Sequence, residues 1–184
     1  TVRVVDIGKD EQFDPEFVRR FTDLPLLIRA DTGRRLRAAE VIPGYQPGLR
    51  DDGPSFARQG LTREQYERLG DFVVRDERSG ELRALTRDDV GDRMATADIV
   101  PALDWSGRVR LVDGTQVEVR SIFDAVKQHL DECCTPEQIS KVTWVPVDAI
   151  EELAKDIAAN PAQTLFVEGM GPNHFFNNDN KDRT

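Results

Sequence analysis

Apolar and polar positions alternate along this chain in two distinct rhythms. Residues 2–7 are β-branched with weak alternation and predict a short strand. Asp14-Pro15 then opens a helix, with Asp as the N-cap and Pro at the first helical position. Phe17, Val18 and Phe21 form its apolar stripe, and Pro25 is its stop. Leu26, Leu27 and Ile28 predict a strand, turned back by Asp31-Thr32-Gly33 into residues 34–38. Residues 43–60 carry Gly and Pro without periodicity and predict a long loop. Thr62 to Gln65 is a capping box opening a short helix that Gly70 stops. Two hairpins follow. Residues 71–76 and 81–85 flank a Ser-Gly turn, and residues 108–112 and 116–120 flank Asp113-Gly114; both alternate, so each should keep one wet face. Residues 88–104 are mixed and predict no firm element.

The rhythm then changes to the helical one. Ser121 caps a helix carrying Ile122, Val126, His129 and Leu130 and ending near Cys133. Thr135-Pro136-Glu137-Gln138 is a second capping box with Pro at the first position. A third helix spans residues 146–159, with Val147, Ile150, Leu153, Ala154 and Ile157 at 3-4 spacing, and Asn160-Pro161 ends it. Leu165, Phe166 and Val167 predict a buried strand running into Gly169-Met170-Gly171-Pro172-Asn173-His174. The class is therefore α/β with β-hairpin excursions. Open α/β sheets bind ligands at the carboxyl ends of their strands. Glycine there lets backbone approach a ligand, and Asn and His supply donors and acceptors. The same residues also describe an ordinary strand-to-helix turn with Asn173 as its cap.

Charge narrows the partners. The 184 residues hold 25 Lys and Arg against 34 Asp and Glu, a net charge of −9. That argues against nucleic acid, whose phosphates need a basic face. It also argues against a basic membrane-surface helix, and no apolar run has the length of a membrane span. The only cysteines, Cys133 and Cys134, are adjacent, which is no disulfide framework and no zinc motif. His129 and Cys133, four apart on one helix, lack the further ligands a metal needs, and both are expected to be half-buried packing residues. The chain has no initiator Met and stops at Thr184, where another element would begin. It is expected to be an internal piece of a longer protein.

Two blocks carry a family resemblance. The first runs from Phe17-Val-Arg-Arg-Phe-Thr-Asp-Leu-Pro-Leu-Leu-Ile-Arg-Ala-Asp-Thr-Gly-Arg-Arg-Leu-Arg to Ala38-Ala-Glu40. The second is the Thr135-Pro-Glu-Gln-Ile pair of helices, through Ile150-Glu-Glu-Leu-Ala-Lys-Asp-Ile-Ala158, to the Gly-Met-Gly-Pro-Asn-His turn. Together they resemble the molybdopterin oxidoreductases of the dimethyl sulfoxide reductase superfamily. Within it they resemble the nitrate reductase branch, which also holds nitrite oxidoreductase, (per)chlorate and selenate reductases and related dehydrogenases. The resemblance implies part of a Rossmann-like three-layer α/β domain with inserted β-hairpins. Residues 1–42 and 121–184 would belong to the molybdopterin-binding domain, and residues 43–120 would be a loop and hairpin insertion.

It also implies a molybdenum bis(molybdopterin guanine dinucleotide) cofactor, contacted by Gly169, Gly171, Asn173 and His174. A [4Fe–4S] cluster, a small oxyanion or similar substrate, an iron–sulfur electron-transfer subunit and a membrane-associated complex held through partner subunits would complete the enzyme. The branch's molybdenum-ligating Asp has no counterpart here, and Cys133-Cys134 does not match the cluster spacing. Pro172 stands where a small or apolar residue is usual. The fragment is expected to be inactive alone. Two other readings stand beside this one. One is a free-standing α/β module binding a nucleotide or protein. The other is a hydrolase using His174 with Asp179 or Glu168, for which no Gly-x-Ser-x-Gly elbow is present.

Overall fold

The computed structural model describes residues 14–47, 64–65, 70–86, 89, 91–93, 98–160 and 163–164. Within them α1 is Pro15–Phe21, β1 Leu27–Arg29, α2 Ala38–Val41, β2 Phe72–Arg75 and β3 Leu82–Leu85. Then come β4 Ser106–Arg110, β5 Gln116–Ser121, α3 Ile122–Cys133, α4 Pro136–Thr143 and α5 Val147–Ala159. The mixture of helices and strands is α/β, as the periodicities require. Every strand pairing among the described residues is antiparallel.

Local signals set the element boundaries. The Asp14 carboxylate accepts from the backbone N–H groups of Glu16 and Phe17 at 2.9 and 3.2 Å, so the first turn of α1 is satisfied. The helix ends before Pro25, because Thr22 adopts an extended backbone and donates its hydroxyl to the Val18 carbonyl at 2.7 Å. Gly33, at φ +65°, closes the turn after β1 by donating to the Arg29 carbonyl at 2.9 Å. The returning segment pairs only briefly, with Ile28 opposite Arg35, before Ala38 begins α2.

The main sheet has the order β1-β5-β4, with Leu27 opposite Ser121 and Val109 opposite Val117. Asp113 turns β4 into β5 by accepting from the Thr115 N–H at 2.8 Å, with Gly114 at φ +89°. β5 alternates exposed and buried residues, so the β4–β5 hairpin keeps the expected wet face. The β2–β3 hairpin departs from that expectation. Val73 and Val74 are both fully buried, although consecutive strand residues point to opposite faces. Val73 joins the main core with Leu27, Leu36, Ala38, Val109 and Val119, whereas Val74 packs with Leu85 in a second cluster. The hairpin therefore lies between two apolar layers.

Ser121 ends β5 and starts α3. Its hydroxyl accepts from the Asp124 N–H at 3.0 Å and donates to the Leu103 carbonyl. On α3 the deepest side chain is Phe123; Ile122, Val126 and Leu130 are half-buried. His129 and Cys133 are exposed, correcting the expectation that they pack, because α3 turns Phe123 and not that stripe toward the sheet. Thr135 and Gln138 form the expected reciprocal capping box at the start of α4. The predicted strand at residues 2–7, the capping-box residue Thr62 and the strand at 165–167 lie outside the described residues, while Glu64 and Gln65 are helical.

Candidate functional site

The candidate cofactor contacts Gly169, Gly171, Asn173 and His174 lie outside the described residues, as do Glu168 and Asp179. The elements leading toward them are described. α5 ends at Asn160, whose N–H is satisfied by the Asp156 and Ile157 carbonyls, and Thr164 donates its hydroxyl to the Asn160 carbonyl at 2.8 Å. The His129 and Cys133 pair gathers no further ligands. Among the described residues no group of three or more His, Cys, Asp or Glu side chains is placed to hold a metal.

An arginine-lined concavity in the described structure was not anticipated from sequence. It is a cleft of about 740 Å³ between the turn after β1, α2 and the start of α3, lined by Arg29, Arg34, Arg35, Arg37 and Glu40 among others. Its signal was the density of arginine in residues 29–37 of an acidic chain. Charge pairing decides what it does. Arg29 donates from Nε and Nη2 to Asp31 at 3.0 and 2.7 Å and from Nη1 to Glu40 at 2.7 Å. The Asp31 partnership, then Glu40, raises the Arg29 pKa, and Arg29 in turn holds the Asp31 carboxyl below the ordinary value. Arg35 pairs with Asp23 at 2.5 Å, and Arg37 lies over the Phe72 ring with 4.8 Å between guanidinium and centroid. Glu40 also accepts from the Arg37 N–H at 2.7 Å, so one carboxylate ties α2 to β1. Arg34 forms no ion pair among the described residues. The Arg29 and Arg35 charges are thus neutralised within the chain, and the role of Arg29 is structural: its bidentate pair with Asp31 fixes the β1 turn and its single bond to Glu40 ties that turn to α2.

A second polar centre is the β2–β3 turn. The Asp76 carboxylate accepts from the Ser79 hydroxyl at 2.6 Å and from the Val100 N–H at 3.0 Å. Ser79's hydroxyl first, then Val100's N–H, hold this carboxyl at about 2, below the usual range. Asp76 thereby fixes the segment at 98–102 to the hairpin. Elsewhere, burial first and then Asp104 raise the Asp124 carboxyl at the start of α3, while Lys127 reaches Asp104 at 2.5 Å.

No family model matches the chain. Over 180 residues it is 32% identical to the perchlorate reductase subunit alpha of Dechloromonas aromatica (strain RCB), covering 94% of this chain and 18% of that protein. The chain is homologous to a segment of this molybdopterin oxidoreductase alpha subunit. The respiratory nitrate reductase subunit alpha of Haloferax mediterranei is 27% identical over 183 residues, 96% of this chain and 16% of that protein. Both relatives fall in the branch expected from the Phe-Thr-Asp-Leu-Pro block and the capped helix pair. The chain spans less than a fifth of either relative's length. The free-standing binding module gains nothing from these relatives, since both are reductase subunits.

Proposed function

We propose that this chain is part of the catalytic alpha subunit of a molybdenum-dependent reductase that transfers an oxygen atom from a small oxyanion. The carrying observation is 32% identity to a perchlorate reductase alpha subunit sustained over 94% of the chain. The bound molybdenum would supply the oxygen-atom transfer itself, and the protein supplies binding and orientation. The described residues hold no set of metal ligands, so no step of that chemistry is assigned to them. The chain's proposed share is the turn at Gly169, Gly171, Asn173 and His174. Two glycines there would admit the pterin edge, and an amide and an imidazole would offer hydrogen bonds without fixed negative charge.

In this reading the cofactor is the bis(molybdopterin guanine dinucleotide) form and a [4Fe–4S] cluster lies elsewhere in the subunit. Electrons arrive through an iron–sulfur partner subunit of a membrane-associated complex. No helix among the described residues is long and apolar enough to cross a membrane.

The test is metal and pterin analysis of the purified polypeptide that carries these residues. Stoichiometric molybdenum and a fluorescent oxidised pterin are expected. Asn173→Ala and His174→Ala should lower the cofactor retained, while Cys133→Ser, at an exposed position, should not. A purified protein with neither metal nor pterin would sink the reading.

A further inference from the structure

The α4–α5 pair buries little of the apolar surface its sequence encodes. Ile150 is the only buried hydrophobic residue of α5, while Val142 is 82%, Trp144 90% and Leu153 61% exposed. Trp144 is also held at φ +63° as the C-cap of α4, donating its N–H to the Ser140 carbonyl at 2.8 Å. That left-handed position favours glycine, and a bulky aromatic in it is a strained choice. The conformational cost is borne by a large apolar ring that is left almost fully open among the described residues.

We infer that the α4–α5 face is a docking surface, and that its occupant is an apolar face of the remaining polypeptide of a longer alpha subunit. This rests on the reading proposed above. Two observations select that occupant. The relatives align along nearly all of this chain yet are more than five times its length, so most of each relative lies outside the aligned segment. α5 carries Asp148, Glu151, Glu152 and Asp156 against the single Lys155. A second copy placed symmetrically on this face would oppose two acidic helices, and an anionic lipid surface would be repelled in the same way. The fitting partner is therefore an apolar patch rimmed by Lys or Arg, belonging to the same polypeptide and present at fixed stoichiometry.

The experiment is hydroxyl-radical footprinting, read by mass spectrometry, on the purified full-length polypeptide, with the denatured protein as reference. Modification of Trp144 should fall roughly tenfold on folding, as expected when an exposed ring becomes a buried one, and Leu153 should fall with it. A Trp144 rate near the denatured value overturns the inference. So does protection that disappears on dilution, which would indicate a second copy, or protection that needs added anionic vesicles. Trp144→Glu gives an independent reading: it should lower the unfolding midpoint of the full-length protein, whereas Glu151→Gln should leave it unchanged. Equal, small effects of the two would also overturn it. Molybdenum is assayed on the same preparation. Protection without molybdenum refutes the proposed function and spares the docking surface; molybdenum without protection does the reverse.

Discussion

Removing the charge of Asp76 should cost the fold a pH-dependent amount of stability. The carboxylate is 3% exposed and accepts from Ser79 Oγ, the Ser79 N–H at 3.2 Å, the Val100 N–H and, more weakly, the Arg78 N–H at 3.4 Å. Its pKa falls from 3.8 to about 2. At about 1.4 kcal/mol per pKa unit, that shift corresponds to roughly 2 kcal/mol of stability. The folded value is depressed, so this stabilisation is fully present above the unfolded carboxylate's pKa and is lost as pH falls through 3.8 toward about 2. Asp76→Asn keeps the shape and one acceptor but not the charge, and should cost roughly 2 kcal/mol at pH ~7 and progressively less in acid. Asp76→Ala also strands the Val100 and Ser79 N–H groups and should cost more, about 3 kcal/mol. Ser79→Ala removes one donor and should cost about 1 kcal/mol. The assay is urea unfolding across pH, followed by the half-buried Trp105 in a Trp144→Phe background, since Trp144 is solvent-exposed. An Asp76→Asn cost that does not shrink as pH falls, or one below about 0.5 kcal/mol at neutral pH, would refute the role assigned to these hydrogen bonds.

Three further outcomes follow from the described geometry. Ser121→Ala should cost about 1–2 kcal/mol in thermal unfolding by circular dichroism, because it removes the α3 cap and strands the buried Leu103 carbonyl. Gly114→Ala should cost roughly 1 kcal/mol, with faster amide exchange in the β4–β5 hairpin, because a Cβ is unfavourable at φ +89°. Asp124→Asn should raise the unfolding midpoint at neutral pH and match the parent protein in acid. Burial raises the Asp124 pKa, so the protonated form is favoured by folding and that contribution is lost as pH rises through the folded value. A lower midpoint for Asp124→Asn at neutral pH would contradict that sign.

What could be read from the sequence was what is chemically local. Asp14, Ser121 and Thr135 each announce a helix by a side chain that satisfies an N–H two or three residues on, and all three do so in the structure. Asp113-Gly114 announces its hairpin the same way, through an Asx contact and a positive φ. The pairing of β1 with β5 was not legible, because it joins segments separated by most of the described chain and nothing in either strand names the other. Burial of both faces of β2 was hidden for a related reason: a run such as Phe72-Val-Val-Arg75 fits one wet face or none, and only the neighbouring layers decide. The Arg29 network escaped because Asp31 reads as a turn residue and the short helix that carries Glu40 was not predicted; their common partner emerges only when α2 folds back over β1. The proposed cofactor turn was legible only through resemblance, since Gly-x-Gly-x-Asn-His by spacing alone also describes a helix start.

The sharpest disagreement between pattern and structure is on α5. Its residues Val147, Ile150, Leu153, Ala154 and Ile157 keep a 3-4 apolar spacing, and that spacing predicts a covered stripe. The described fold covers Ile150 and leaves Leu153 open. A helix boundary is decided by local residues, and α5 runs from Val147 after Pro146 to Ala159 before Asn160, close to where the sequence places it. A helix face is decided by what lies against it, so the same sequence does not determine whether its stripe is dry. Amphipathic periodicity is therefore a statement about two surfaces, only one of which is present among the described residues. The conflict disappears if the stripe is written for a second layer supplied by more of the same polypeptide. In that case the exposed ring of Trp144, the open side of Leu153 and the chain's coverage of less than a fifth of its relatives have one cause.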